Sequence, residues 1–280
     1  MRAFLKAITP PILTDLYRRL RYPAIPKAFK VVWKGNYPTW QQALQKSFGY
    51  DSPLILEKVK HAVIAVKAGK ASYERDSMLF YKPEYNWPLI ALIRQMAMKN
   101  RNELDVTDFG GALGSTWFQN RKFLKDLSKL NWSVVEQPHF VSCGNEFIRE
   151  SGLEFFTNME EALKNKRADV ILLSTVLQYL EEPYKLLAKA RASGFKYILI
   201  DRITFLREGP ERITVQYVPP QIYEASYPAW FFEEKKFLEY FNGTYDLVCE
   251  FDPYPGIEID LGDTKAYYKG FLFENATLRE

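Results

Sequence analysis

From residue 104 onward the chain alternates short apolar runs with amphipathic stretches. "LDVTDFG", "WSVVEQ", "LEFFT", "ADVILLST" and "KYILIDR" are apolar runs of strand length. The segments between them, "STWFQNRKFLKDLSKL", "SCGNEFIRESG", "EEALKNKR" and "EEPYKLLAKARASG", carry helical patterns. Strands alternating with helices predict a parallel sheet covered on both faces. "FFEEKKFLEYFNG" predicts one more helix. "TYDLVCEFD" and "KAYYKGFLFE" then predict two strands with no helix between them. That gap is too short for a parallel crossover, so the last strand is expected to run antiparallel to its neighbour.

The first hundred residues have a different texture. Apolar positions there read as helices broken by Pro and aromatic residues. Thr39 is a predicted N-cap, with Gly49 near the end of the helix that follows. Residues 1–30 hold seven basic residues against the single acid Asp15. The patch "LYRRLRY" suits a basic helix packed on the main domain, with weak peripheral contact to an anionic membrane as the alternative. The division expected is a helical N-terminal extension or lid over residues 1–100 and an α/β domain over 101–280.

Composition changes little in this picture. Apolar residues make up 47% of the chain and charged residues 26%, as in ordinary globular proteins. The net charge of +4 is too small to argue for a nucleic-acid partner. Cys143 and Cys249 are isolated, without the spacing of a zinc site, and fit a reducing compartment. No apolar run has the length of a membrane span, and there is no signal-peptide pattern. These readings place the protein in the cytoplasm.

The candidate chemistry begins at "DVTDFGGALGSTW", where a predicted strand meets a glycine-rich turn and then a helix. In an open α/β sheet this junction faces a nucleotide ligand, because backbone amides and a helix N-terminus point there. The string Asp108-Phe109-Gly110 also occurs in protein kinases, but neither His61 nor His139 is followed by the Arg-Asp of a kinase catalytic loop. A dinucleotide fingerprint requires G-x-G-x-x-G. Counting from Gly110, alanine replaces its second glycine, and the third falls one position early at Gly114.

The same stretch resembles the first motif of class I S-adenosylmethionine-dependent methyltransferases, an acid, one residue, then Gly-x-Gly-x-Gly. Asp108 stands as the acid, Gly110 and Gly114 as glycines beside Gly111, and Ala112 departs from the middle position. Glu136, at the end of the second strand, is placed to accept the ribose hydroxyls of such a ligand. "LLSTVLQYLEEPYKLL" resembles the pattern Ser-x-Val-Leu-x-His-Leu-x-Asp-Pro of small-molecule methyltransferases, through Ser174, Val176, Leu177, Leu180 and Pro183. Tyr179 replaces the histidine, so a base role cannot be carried over. With a pKa near 10, a phenol suits lining the pocket or donating a hydrogen bond. The resemblance implies a doubly wound, seven-stranded, mostly parallel sheet with an antiparallel last strand, and S-adenosylmethionine as cofactor. "WKGNYPTWQQAL", "SFGYD", "YERDS", "VVEQPHFV", "LIDRITF" and "ASYPAWFF" also resemble a little-studied methyltransferase-like family associated with bacterial surface-polysaccharide biosynthesis.

Substrate residues are expected at the C-terminal edge of the sheet. Residues 202–230 form an excursion that a methyltransferase core does not need, and such excursions are often binding loops. "RITFLREGPERITVQYV" is expected to form a hairpin turning at Gly209-Pro210, followed by Tyr223, Tyr227 and Trp230. These aromatics suit a sugar ring or serve as packing glue. Asp201 is the first candidate base, His139 the second, and Arg202 a candidate clamp for a substrate anion. The expected activity is methylation of a hydroxyl on a small molecule such as a sugar or sugar nucleotide. A catalytically degenerate binding or scaffold protein of the same fold is the alternative.

Overall fold

The structure, a computed structural model, describes residues 31–48, 53–164, 166–220, 222–253 and 258–278. The basic patch at residues 16–22 and its expected membrane contact lie outside these residues, as does Gly49.

The main sheet is built from β4 (Glu103–Phe109), β5 (Lys129–Val135), β6 (Leu153–Phe156), β7 (Val170–Ser174), β8 (Tyr197–Leu206), β11 (Tyr245–Phe251) and β13 (Lys265–Asn275). Its order is β11-β13-β8-β7-β4-β5-β6, with the short β12 (Glu258–Asp260) added to β13. The pairs from β6 to β8 are parallel, whereas β13 runs antiparallel to both β8 and β11. This is the seven-stranded order implied by the resemblance, with the antiparallel strand expected from the missing crossover. The protein has the class I methyltransferase fold.

Burial explains why the central strands read as unbroken apolar runs. Val170, Ile171, Leu172 and Leu173 of β7 and Ile198, Leu199 and Ile200 of β8 are essentially inaccessible, because helices cover both sheet faces. One of those helices is α3 (Trp87–Lys99), after α1 (Trp40–Leu44) and α2 (Pro53–Lys67). Asn86 starts it, its side chain accepting from the Leu89 amide at 3.2 Å, and Pro88 lies in the first turn. Leu89, Ile90, Leu92, Ile93, Met96 and Ala97 then form a buried stripe at helical spacing. Each large member contributes about 1.5–3 kcal/mol by leaving water.

Three local expectations change. The segment expected to be helical also holds β1 (Val32–Tyr37) and the hairpin β2 (Tyr73–Arg75) and β3 (Met78–Phe80). Asp76 and Ser77 both adopt positive φ at the tip of that hairpin, which is the geometry of a two-residue strand connection. The helix after the glycine turn, α4 (Ser115–Asn120), is short and gives way to a single 3-10 turn. The hairpin expected around Gly209-Pro210 does not pair with itself. The far half of β8 hydrogen-bonds to β13, so β9 (Arg212–Tyr217) is left to pair elsewhere. It becomes the centre of a separate antiparallel sheet between β1 and β10 (Ser226–Phe231). The remaining helices are α5 (Pro138–Cys143), α6 (Met159–Leu163), α7 (Pro183–Ala192) and α8 (Glu234–Glu239).

Candidate active site

The turn between β4 and α4 begins at Gly110, whose amide donates to the Val135 carbonyl at 2.9 Å and ties the turn to β5. Gly110 has φ +74, and a Cβ there would sit 2.5 Å from Val176 Cγ2. At Gly111 a Cβ would lie 2.6 Å from Asp108 Oδ2. The missing side chains therefore make room for protein as well as ligand: the loop after β7 closes on the turn, and the turn wraps around Asp108. Ala112, at the position the motif gives to glycine, has φ +49. A left-handed conformation costs an L-residue about 1–2 kcal/mol, so the turn holds its shape at the expense of strain at Ala112.

Asp108 is 1% exposed and accepts one hydrogen bond, from Trp132 Nε1 at 2.9 Å. Burial raises its pKa to about 7 against the lowering effect of that bond, and the charge of nearby Glu136 raises it further. Glu136 follows the last residue of β5, half-buried. Its carboxylate accepts from the Gln137 amide at 2.7 Å, and the Ala112 backbone lies close enough to lower its pKa. The structure thus brings Asp108, the turn and Glu136 together, and burial raises the Glu136 pKa as well.

A further acid joins this edge from the β2–β3 hairpin. Glu74, on β2, is 7% exposed and accepts from the Ser77 amide at 3.1 Å and from the hydroxyl of Ser115, the first residue of α4. Burial lifts its pKa to about 7. Sequence reasoning missed Glu74, because the docking of its hairpin on α4 decides its burial.

The second group of predicted residues lies across the sheet, on β7 and β8. Asp201 is fully buried and held by three side chains. Asn86 Nδ2 donates to Oδ1 at 3.0 Å, Ser174 Oγ donates to Oδ2 at 2.9 Å, and Arg202 Nε lies 3.2 Å from Oδ2. An Arg202 terminal nitrogen also donates to Ser174 Oγ at 3.2 Å. Ser174 is therefore drawn toward Asp201. Asn86 was not singled out as a site residue, although the sequence Asn86-Trp87-Pro88 carries a helix-start signal.

His139 is exposed on α5, its ring 4.9 Å from that of Phe140 and its charge acting on Glu136. Three strand intervals, about 14 Å, separate β5 from β8. The two candidate bases thus belong to opposite ends of the cleft.

The aromatics singled out near the insertion are engaged in packing. Tyr179 donates to Gln216 Oε1 at 2.9 Å, which also accepts from Trp33 Nε1 at 2.9 Å, while Gln216 Nε2 donates to the Tyr227 hydroxyl at 3.0 Å. Removal from water pushes the Tyr179 phenol well above its ordinary range, so it acts as a donor. Tyr223 is 7% exposed in the main core. Trp230 stacks near Trp40 at 6.4 Å and donates to the Leu180 carbonyl at 3.0 Å. Together these contacts fasten the three-stranded sheet to the loop after β7.

No protein-family model matches the chain, and no curated protein matches it significantly. Solved structures similar to it include the N-terminal domain of EvdMO1, determined in the presence of SAH and D-fucose. That likeness has a TM-score of 0.45 and 9% identity, covering 78% of this chain and 96% of the other. The methyltransferase CcbJ from Streptomyces caelestis has a TM-score of 0.42 and 11% identity, covering 78% and 99%. SAM-bound CalS10, an amino pentose methyltransferase from Micromonospora echinaspora, has a TM-score of 0.39 and 9% identity, covering 65% and 90%. The fold assignment itself rests on the order and direction of the strands.

Proposed function

We infer that this protein is an S-adenosylmethionine-dependent methyltransferase that methylates a hydroxyl of a small molecule such as a sugar or sugar nucleotide. One observation carries the reading: a left-handed glycine turn is tied through the Gly110 amide to Val135 at the end of the neighbouring strand, next to Glu136 and the buried Asp108. The donor set fits the cofactor. Glu136 offers carboxylate oxygens to a ribose diol. Asp108 and Glu74 are buried carboxyls with no cation bonded to them among the described residues, and so suit a positively charged ligand.

When bound, S-adenosylmethionine supplies an electrophilic methyl group on a sulfonium. The chain's own residues hold that donor and the acceptor in attack geometry and keep water away. Asp201, as the proposed base, connects to the cleft through the Ser174 hydroxyl that donates to its Oδ2. His139 is the alternative base on the side of Glu136. The two free cysteines support a cytoplasmic setting, and the wider motif resemblance supports a role in polysaccharide biosynthesis.

Calorimetry with S-adenosylmethionine and S-adenosylhomocysteine (SAH) tests the cofactor. Glu136→Ala is expected to weaken both about tenfold or more, the loss of at least ~1–2 kcal/mol of hydrogen bonding to a ribose. No binding of either at millimolar concentration by the natural protein refutes the reading. The alternative, a degenerate binding protein, draws on the strained Ala112 and on Asp201, both of whose oxygens are already bonded. Cofactor binding without methyl turnover on any hydroxyl acceptor would establish it.

A further inference from the structure

The β2–β3 hairpin reaches both groups of site residues. Glu74, the middle residue of β2, accepts from Ser115 at the start of α4, and Asp76, two residues on, faces Arg202 of β8. Arg75 and Arg202 meet Asn86 and Asn120 around a small pocket of about 10 Å³, room for one water, so the hairpin is seated beside the Asp201 cluster. Tyr73 helps to fix it there, its hydroxyl donating to Glu84 at 2.8 Å.

Asp76 differs from the other acids nearby. Asp108, Glu74 and Asp201 are nearly inaccessible and hydrogen-bonded. Asp76 is exposed, and among the described residues its carboxylate makes no hydrogen bond or ion pair. Even so, burial raises its pKa against the opposing charges of Arg75 and Arg202. A side chain that water reaches while protein surrounds it opens onto a cleft rather than onto bulk solvent. The groups whose charges meet it there are Arg75 and Glu74 from its own hairpin, Arg202 from β8, Tyr179 from the loop after β7 and Tyr268 from β13. Tyr268 is half-buried and likewise makes no hydrogen bond among the described residues. Burial lifts its phenol to about 12, so it keeps its proton and can donate.

The backbone facing Asp76 is strained. Thr175, next to Ser174, has φ +56, and Arg202 has φ +54. A β-branched residue in the left-handed region is an outlier costing about 1–3 kcal/mol, and such strain gathers at functional sites. Asp76 itself sits at φ +50, which aspartate tolerates in turns.

We propose that Asp76 is the base that takes the proton of the acceptor hydroxyl, with Tyr268 donating to the same oxygen. The proposal rests on the methyltransferase reading and moves the base from Asp201, which is inaccessible and has both oxygens bonded, to a carboxylate with free oxygens. As the acceptor oxygen bonds to the methyl carbon, its proton passes to Asp76. The electron pair of the broken carbon–sulfur bond leaves with sulfur as a thioether, and Asp76 then gives the proton to solvent. A carboxylate of raised proton affinity is the better base near neutral pH. Asp201 becomes a positioning residue that holds Arg202.

Carboxyl-carbon NMR on the aspartate-labelled protein tests this without an acceptor. The Asp76 resonance, assigned by its loss in Asp76→Asn, is expected to titrate above 3.8, the ordinary aspartate value, and higher still in Arg75→Met. Carbodiimide coupling to glycinamide, mapped by peptide mass spectrometry, is expected to modify Asp76 ahead of Asp108, Asp201 and Glu74. Methyl transfer from labelled S-adenosylmethionine to a panel of methyl hexosides and nucleoside-diphosphate hexoses is expected to fall about a hundredfold or more in Asp76→Asn. The acid limb of its pH profile should vanish with it, and Asp76→Glu should restore part of the rate. Asparagine suits a left-handed tip, and removing the Asp76 charge relieves Glu74, so Tm is expected to be undiminished and SAH affinity to stay within about twofold.

Titration at or below 3.8, failure of Asp76 to couple, or transfer that survives Asp76→Asn overturns the proposal. It is also overturned if Asp76→Asn weakens S-adenosylmethionine about tenfold and leaves SAH unchanged, since the carboxylate would then face the sulfonium. If the panel accepts no methyl group, the titration and the coupling decide. Failure of the natural protein to bind SAH removes the methyltransferase reading and the base role together, whereas an ordinary Asp76 titration with SAH binding intact removes the base role alone.

Discussion

Asp108 and Asp201 lie on parallel strands of one sheet, both nearly inaccessible, yet their surroundings are opposite. Among the described residues Asp108 has a single neutral donor, Trp132, and no cation, and its pKa is pushed to about 7. Asp201 is held by an amide, a hydroxyl and a guanidinium. The same side chain is left electrostatically unfinished beside the glycine turn and tied into a brace on β8. The brace spans three parts of the chain: Asn86 at the start of α3, Ser174 at the end of β7 and Arg202 at the base of the insertion. The unfinished carboxyl costs folding energy that a cationic ligand can return.

The largest expected effect comes from breaking the brace. Asp201→Ala strands Arg202, Asn86 and Ser174 together, and urea unfolding is expected to show a loss of about 3–5 kcal/mol. A loss below about 1 kcal/mol would mean that the brace is solvated and the contrast false.

The pH dependence of stability probes the unfinished carboxyls next. Asp108 and Glu74 have folded pKa values near 7, above their unfolded values. Between about pH 4 and 7 the folded state therefore holds protons that the unfolded state has released. Their contribution to stability is fully present below the unfolded pKa values and is lost as pH rises through 7. Each contributes a slope of up to about 1.4 kcal/mol per pH unit in that window. Asp108→Asn is expected to flatten the fall in stability from pH 4 to 7 and to raise stability at pH 8, as read from urea titrations at each pH. For the same reason, S-adenosylmethionine is expected to bind more tightly at pH 8 than at pH 6, and by a larger factor than SAH, which lacks the sulfonium charge. An equal pH response of the two ligands would place the sulfonium away from these carboxyls.

The smallest effect concerns the turn. Ala112→Gly removes a side chain from a residue at φ +49, at the entropic cost of a more flexible unfolded chain. A net gain of about 0.5–1 kcal/mol is expected, with SAH affinity unchanged. A loss of stability would show that the methyl group packs usefully and that alanine is an adaptation of this turn.

Much of the fold was legible because its signals are local. Apolar runs of strand length and the missing crossover before β13 specified the sheet, including the direction of its last strand. Asp108, Glu136 and the glycines were also legible, since a strand-to-helix junction places them whatever surrounds it. The signal failed for β9, whose alternation is correct for a strand but silent about its partner. The continuation of β8 beside β13 took the edge that a local hairpin would have used. The same limit applies to Tyr223, Tyr227 and Trp230, whose aromatic character fits a binding loop or a packing seam equally well.

The sequence by itself determined the order of the main-sheet strands, the glycine turn at the end of β4 and the acid beside it, because these follow from periodicity and from residues a few positions apart. Only the tertiary structure decided which carboxyls are left without cations, that Asn86 and Arg202 brace Asp201, and that Arg75 and Asn120 meet across one pocket. Arg75 and Asn120 are 45 positions apart, and Asn86 and Asp201 are 115 apart. Burial and charge compensation at such separations depend on how whole elements dock, and no local pattern records that.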